Sequence, residues 1–117
     1  MTEQVLSKRE FGAVCSVLLR RSLNDDGTVD MSVVGAIALV VQEVIGLSRQ
    51  LVPVNTAKLV RETKTTATTF RRALRRAEAL GLIEREAGRE GSVRRGFVRL
   101  SDSVVDDVLT DLEAEES

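Results

Sequence analysis

Apolar residues recur along this chain at spacings that change from segment to segment, and the changes mark its elements. Phe11, Val14, Cys15 and Leu18 fall at i, i+3, i+4 and i+7, which predicts an amphipathic helix. Ser7-Lys8-Arg9-Glu10 supplies a capping box at its start. Asn24-Asp25-Asp26-Gly27 gathers turn formers just past its expected end near Leu23. A second helix is expected from Asp30 or Ser32 to about Val44 or Ile45, with Gly46 as its stop. Val33, Val34, Ile37, Leu39, Val40 and Val41 make it apolar almost all round, so it belongs in the middle of a core or in a dimer interface.

Pro53 then interrupts the pattern. Asn55 or Thr56 can cap a short helix reaching residue 62, with Leu59 and Val60 inward, and Thr63-Lys64-Thr65 reads as a tight turn. Thr66 is a suitable N-cap for a helix to Leu80, which Gly81 ends. Residues 82–86 and 96–100 read as two short strands, joined by a loop containing Gly88, Gly91 and Gly96. Ser103-Val104-Val105-Asp106 resembles a second capping box, and Val105, Val108, Leu109 and Leu112 stripe a closing helix.

Composition narrows the function classes. The 117 residues suit one domain, 43% hydrophobic and 30% charged. The most apolar run, residues 33–41, is far shorter than the roughly 20 residues a membrane helix needs. Glu3, Lys8, Arg9 and Glu10 break up any signal-peptide pattern. A cytoplasmic, nucleoid-associated location with no membrane partner is expected. Cys15 is the single cysteine and there is no histidine, which removes the usual zinc sites and His-based dyads. No metal, cofactor or catalytic residue is expected, and the chain does not read as an enzyme.

The net charge of −1 conceals a segregation. Residues 55–99 carry twelve basic residues against five acids, a local +7 that leaves −8 for the rest. A partner senses that local field more than the average. The basic residues concentrate on the helix opened by Thr66. Stepping about 100° per residue, Phe70, Ala73, Leu74, Ala77 and Leu80 form one apolar stripe. Thr68, Arg71, Arg72 and Arg75 take the opposite side, with Arg76 on its flank. No acid stands within a turn of Arg71, and Glu78 is the one such partner of Arg75. The threonines at 65, 66, 68 and 69 are mediocre helix formers. Near a helix N-terminus their hydroxyls can cap backbone N–H groups or donate to phosphate oxygens.

Residues 55–103 resemble the winged helix-turn-helix of MarR-type transcriptional regulators. The matching segments are "NTAKLVRET", "TATTFRRALRRAEAL", the "GLIERE" step into a strand, a basic loop and "GFVRLSDS". In that family the turn commonly reads Leu-Gly-Leu/Val-Ser, where this chain has Thr63-Lys64-Thr65-Thr66 and a looser junction is expected. The resemblance implies a mainly α fold with a small β-hairpin, α+β in class, within a single domain 1–117. Residues 1–50 would supply N-terminal helices for dimerisation and core, 55–100 the helix-turn-helix and wing, and 101–117 the C-terminal helix. It also implies a homodimer on double-stranded DNA, with half-sites about 34 Å apart. Lys64, Thr66, Thr68, Arg71, Arg72, Arg75 and Arg76 would serve the recognition helix, and Arg89, Arg94 and Arg95 the wing. Such a protein would be a sequence-specific transcriptional regulator, a repressor by expectation, whose small-molecule effector stays unassigned. The alternatives are a plasmid or phage replication or partition protein, and a winged-helix module that docks an acidic protein.

Overall fold

The computed structural model describes residues 6–116. Helix α1 (Lys8–Arg21) opens on the expected capping box: the Glu10 amide donates to Ser7 Oγ at 3.2 Å and the Ser7 amide to Glu10 Oε1 at 3.1 Å. It buries Ala13, Val14, Val17 and Leu18. Helix α2 (Met31–Val40) starts on an Asp30 cap that accepts from the Val33 amide. It continues into a π-helical turn, Val41–Ile45, before Gly46 stops it. Val33, Ile37, Val40 and Val41 are all but inaccessible to water, so α2 is the central core helix that its all-round apolarity predicted.

A three-stranded antiparallel sheet follows, in the order β1-β3-β2. Strand β1 (Val52–Val54) was not expected; it sits around Pro53 and pairs Val52 with Val98 and Val54 with Gly96. It is an edge strand, where a missing N–H is tolerated. Strands β2 (Ile83–Glu90) and β3 (Val93–Leu100) pair continuously from Ile83↔Leu100 to Glu90↔Val93. The expected loop across residues 87–95 is therefore strand on both sides of a two-residue turn at Gly91-Ser92. Gly91 takes φ +64° there, the positive value such hairpin turns demand.

Between β1 and β2 lie helix α3 (Thr56–Thr63) and helix α4 (Ala67–Ala79). Asn55 caps α3 by accepting from the Lys58 amide at 3.1 Å, and Leu59 is its buried residue. Phe70, Ala73, Leu74 and Ala77 of α4 are buried, in the predicted phase. Gly81, at φ +76°, closes α4 with a paired cap: its amide reaches Glu78 O and the Leu82 amide reaches Ala77 O, each at 3.0 Å. That cap turns the chain directly into the hairpin. The order of helices and strands makes this a winged helix-turn-helix in the α+β class.

Helix α5 (Asp102–Glu116) starts two residues earlier than a cap at Ser103 predicts. Ser103 lies inside its first turn, where its hydroxyl accepts from Arg21 Nη1 at 2.9 Å, so the expected capping box does not form. Val104, Val105 and Val108 are buried, whereas Leu109 is 41% exposed. Helix α5 runs antiparallel to α1 along a seam of ion pairs: Arg9–Glu115 and Arg20–Asp111 at 3.0 Å, and Arg21–Asp107 at 2.6 Å. Arg49 adds contacts to Asp102 and Asp106 at 3.0 and 2.6 Å.

Truncating Leu74→Ala should cost about 2–5 kcal/mol by denaturant unfolding, as for other buried leucines; an unchanged midpoint would mean α4 packs by a different face. A pH effect follows at α5. Hydrogen bonds from Arg99, and then from Arg49, hold the Asp102 carboxyl below its ordinary value of 3.8. A depressed folded value stabilises above the unfolded value, and that stabilisation is lost as pH falls through the folded one. Asp102→Asn should therefore lower stability at neutral pH and leave it nearly unchanged at the acid end of the titration.

Candidate nucleic-acid interface

The surface in question is built from α3, α4 and the outer half of the β2–β3 hairpin. Thr66 fixes where α4 begins: its Oγ1 accepts from the Thr69 amide at 3.1 Å and donates to Thr69 Oγ1 at 2.7 Å. Its hydroxyl is thus engaged at the cap. Lys64, in the turn before it, takes the left-handed conformation at φ 58°, ψ 25°. With no glycine at this position, the junction is nonetheless a tight turn rather than the looser one expected. A lysine in that conformation carries strain of about 1–2 kcal/mol that glycine would avoid. Its side chain is exposed.

Beyond the cap, Thr68, Arg71, Arg72, Arg75 and Arg76 are all exposed. Among the described residues, none of these four arginines has an ion-pair partner. Glu78, the one acid on α4, instead faces Arg85 of β2 at 3.8 Å. Two residues outside the predicted set, Lys58 and Arg61 of α3, are likewise exposed and unpaired among the described residues. The local charge excess pointed to them, but they lie outside the arginine-rich helix.

The hairpin register divides the wing arginines between two faces. Residues directly opposed across an antiparallel pair share a face, and alternate pairs share the same one. Ile83↔Leu100, Arg85↔Val98, Ala87↔Gly96 and Arg89↔Arg94 therefore lie on one side. Ile83, Val98 and Leu100 are buried, so this side faces the helices at its base. Towards the tip it carries Arg89 and Arg94, exposed, opposed and unpaired among the described residues. Like charges directly opposed destabilise a hairpin unless an anion joins them.

Arg95 lies on the other side, which carries its own neutralisation. It pairs with Glu90 at 3.5 Å, and Arg99 pairs with Glu84 and Asp102. Phe97 covers Gly88 there so closely that a Cβ at residue 88 would stand 2.8 Å from its ring. The three predicted wing arginines are thus not brought together: Arg89 and Arg94 are adjacent, and Arg95 is turned away.

Between α4 and the hairpin runs an open groove of about 470 Å³ lined by Arg75, Glu78, Arg85, Ala87 and Gly96. The small side chains of Ala87 and Gly96 leave its floor accessible. A second groove of about 430 Å³ lies between α2 and α4, lined by Met31, Gly35, Leu39, Thr69 and Phe70. Cys15 on α1 is half-buried, and burial raises its thiol pKa, which disfavours the reactive thiolate. Among the described residues, no cluster of three or more His, Cys, Asp or Glu could hold a metal ion, and no helix is long and apolar enough to cross a membrane.

No protein-family profile matches this chain, and no curated protein matches it. Among solved structures it is similar to one described as "Crystal Structure of MarR", with 19% identity and a TM-score of 0.47 over 99% of this chain and 75% of that one. Element order and strand register define the winged-helix fold of this chain.

Replacing Lys64 by Gly tests the strained turn separately from its charge. Release of the strain is offset by the greater flexibility of unfolded glycine. Lys64→Gly should thus leave folding stability within about 1 kcal/mol of the parent, on the stabilising side, by chemical denaturation. A marked loss would mean the lysine side chain holds the turn.

Proposed function

We propose that this chain is a sequence-specific double-stranded DNA-binding regulator of transcription, with α4 in the major groove and the hairpin on flanking DNA. One observation carries the reading. The arginines of α1, together with Arg49, are held by carboxylates, whereas Arg71, Arg72, Arg75 and Arg76 of α4 and Arg89 and Arg94 at the wing tip have no ion-pair partner among the described residues. Phosphates would remove the repulsion that the fold leaves standing, and the release of their counterions would drive association.

Within this reading, the N-terminus of α4 points its positive dipole end at the DNA. Arg89 and Arg94 take the flanking backbone or a narrow minor groove, and Arg95 stays with Glu90. The protein binds rather than catalyses. Two copies bind together, with the exposed Leu19, Leu23 and Leu109 near α1 and α5 as the apolar contact. Occupancy by such a dimer excludes other proteins from the same DNA, which is how a repressor acts.

Fluorescence anisotropy with a labelled duplex of about 30 base pairs tests the assignment. Arg72→Ala/Arg75→Ala and Arg89→Ala/Arg94→Ala should each weaken binding at least about tenfold, at roughly 1–3 kcal/mol per base-reading contact. Arg20→Ala should leave affinity unchanged, because Asp111 already holds Arg20. Equal affinity for all four proteins would point instead to an acidic protein as the partner of the arginine face. Sedimentation equilibrium tests the dimer: Leu19→Glu/Leu109→Glu should sediment as a folded monomer, while wild-type protein of monomer mass would refute the pairing.

A further inference from the structure

The exposed face of α4 has a centre and two flanks, and they carry different chemistry. Measured from the mean direction of buried Phe70, Ala73, Leu74 and Ala77, at about 100° per residue, Thr68, Arg72, Arg75 and Ala79 lie within about 30° of straight outward. Arg71 and Arg76 lie about 70° to either side. All six are exposed. A helix lying in a groove directs its central residues at base edges and its flanks at the two walls. The centre thus offers two guanidinium groups with a threonine before them. The flanks offer one guanidinium to each wall.

The central residues limit which bases suit them. Arginine makes its bidentate contact with guanine O6 and N7, whereas adenine calls for asparagine or glutamine, and cytosine N4 for a carboxylate. Helix α4 contains neither asparagine nor glutamine. Its one acid, Glu78, lies off the centre and faces Arg85. Arg72 and Arg75 are about 4.5 Å apart along the axis, between one and two base-pair steps of about 3.4 Å. The methyl group of Thr68, one turn earlier, suits a thymine methyl.

Building on the DNA-binding reading, we infer that each half-site centres on two guanines, adjacent or one pair apart, read by Arg72 and Arg75 in the major groove. Thr68 faces an A·T pair on the side of the α4 N-terminus. Arg71 and Arg76 straddle the groove onto phosphates of opposite strands and contribute affinity without sequence preference.

The test selects duplexes with a randomised core on the full chain, then replaces single purines in the selected site. 7-Deazaguanine lacks the N7 acceptor, and 7-deazaadenine is the matched control. Substitution at each of two guanines should weaken binding about tenfold, and substitution at adenines should have little effect. Arg72→Ala should abolish the sensitivity at one guanine and Arg75→Ala at the other. Arg71→Ala should weaken selected and scrambled duplexes by the same factor. Selected sites that respond at adenine N7 and not at guanine would overturn the inference and leave DNA binding standing. So would retention of duplexes with no preferred sequence. Failure to retain any duplex would overturn both.

Discussion

Arg71, Arg72, Arg75 and Arg76 share one exposed side of a single helix, in a chain with enough carboxylates to neutralise every base it carries. Where the carboxylates are placed decides what the molecule presents to its surroundings. Those of α5 lie along its seam with α1, within 2.6–3.0 Å of Arg9, Arg20 and Arg21, and its first turn takes Arg49. Exposed pairs of this kind add little stability one by one. Their larger effect is on the field: they cancel the charge at the α1–α5 end and leave that of α4 and the wing standing.

The rest of the fold holds that charged surface in position. The central helix α2 buries its valines and Ile37 and provides the body against which α4 packs. The Gly81 cap then sends the chain from α4 straight into β2, so the exposed face of the helix and the inner face of the hairpin border one groove. Strand β1 pairs with β3 on the side away from β2 and anchors the base of the hairpin. The tip is left to project with Arg89 opposite Arg94.

Local signals proved readable from the sequence, and non-local ones less so. The Ser7 capping box, the Thr66 cap and the phase of α4 each depend on residues within a turn of one another, as do the caps at Asp30 and Asn55, each one of two expected candidates. The expected architecture followed from their order. Strand β1 escaped because Pro53 argues against a strand until a partner is known to lie on one side only. The outer hairpin read as a loop because both its faces are polar there, which erases the alternation that marks a strand. For the same reason the division of Arg94 from Arg95 was hidden: it depends on strand register, which adjacent residues do not reveal. Ser103 was misassigned as a cap because the chain had already turned helical at Asp102, and its hydroxyl serves Arg21 instead.

In the proposed function, the unneutralised cations of α4 and the hairpin tip meet phosphates. The measurement that decides this is the affinity of the full chain for a random duplex, titrated across salt concentrations. Log Kobs should fall linearly with log salt, with a slope of several units set by the number of phosphates neutralised. A weak, flat response would contradict it, because a surface that releases no counterions from DNA is not a DNA-binding surface.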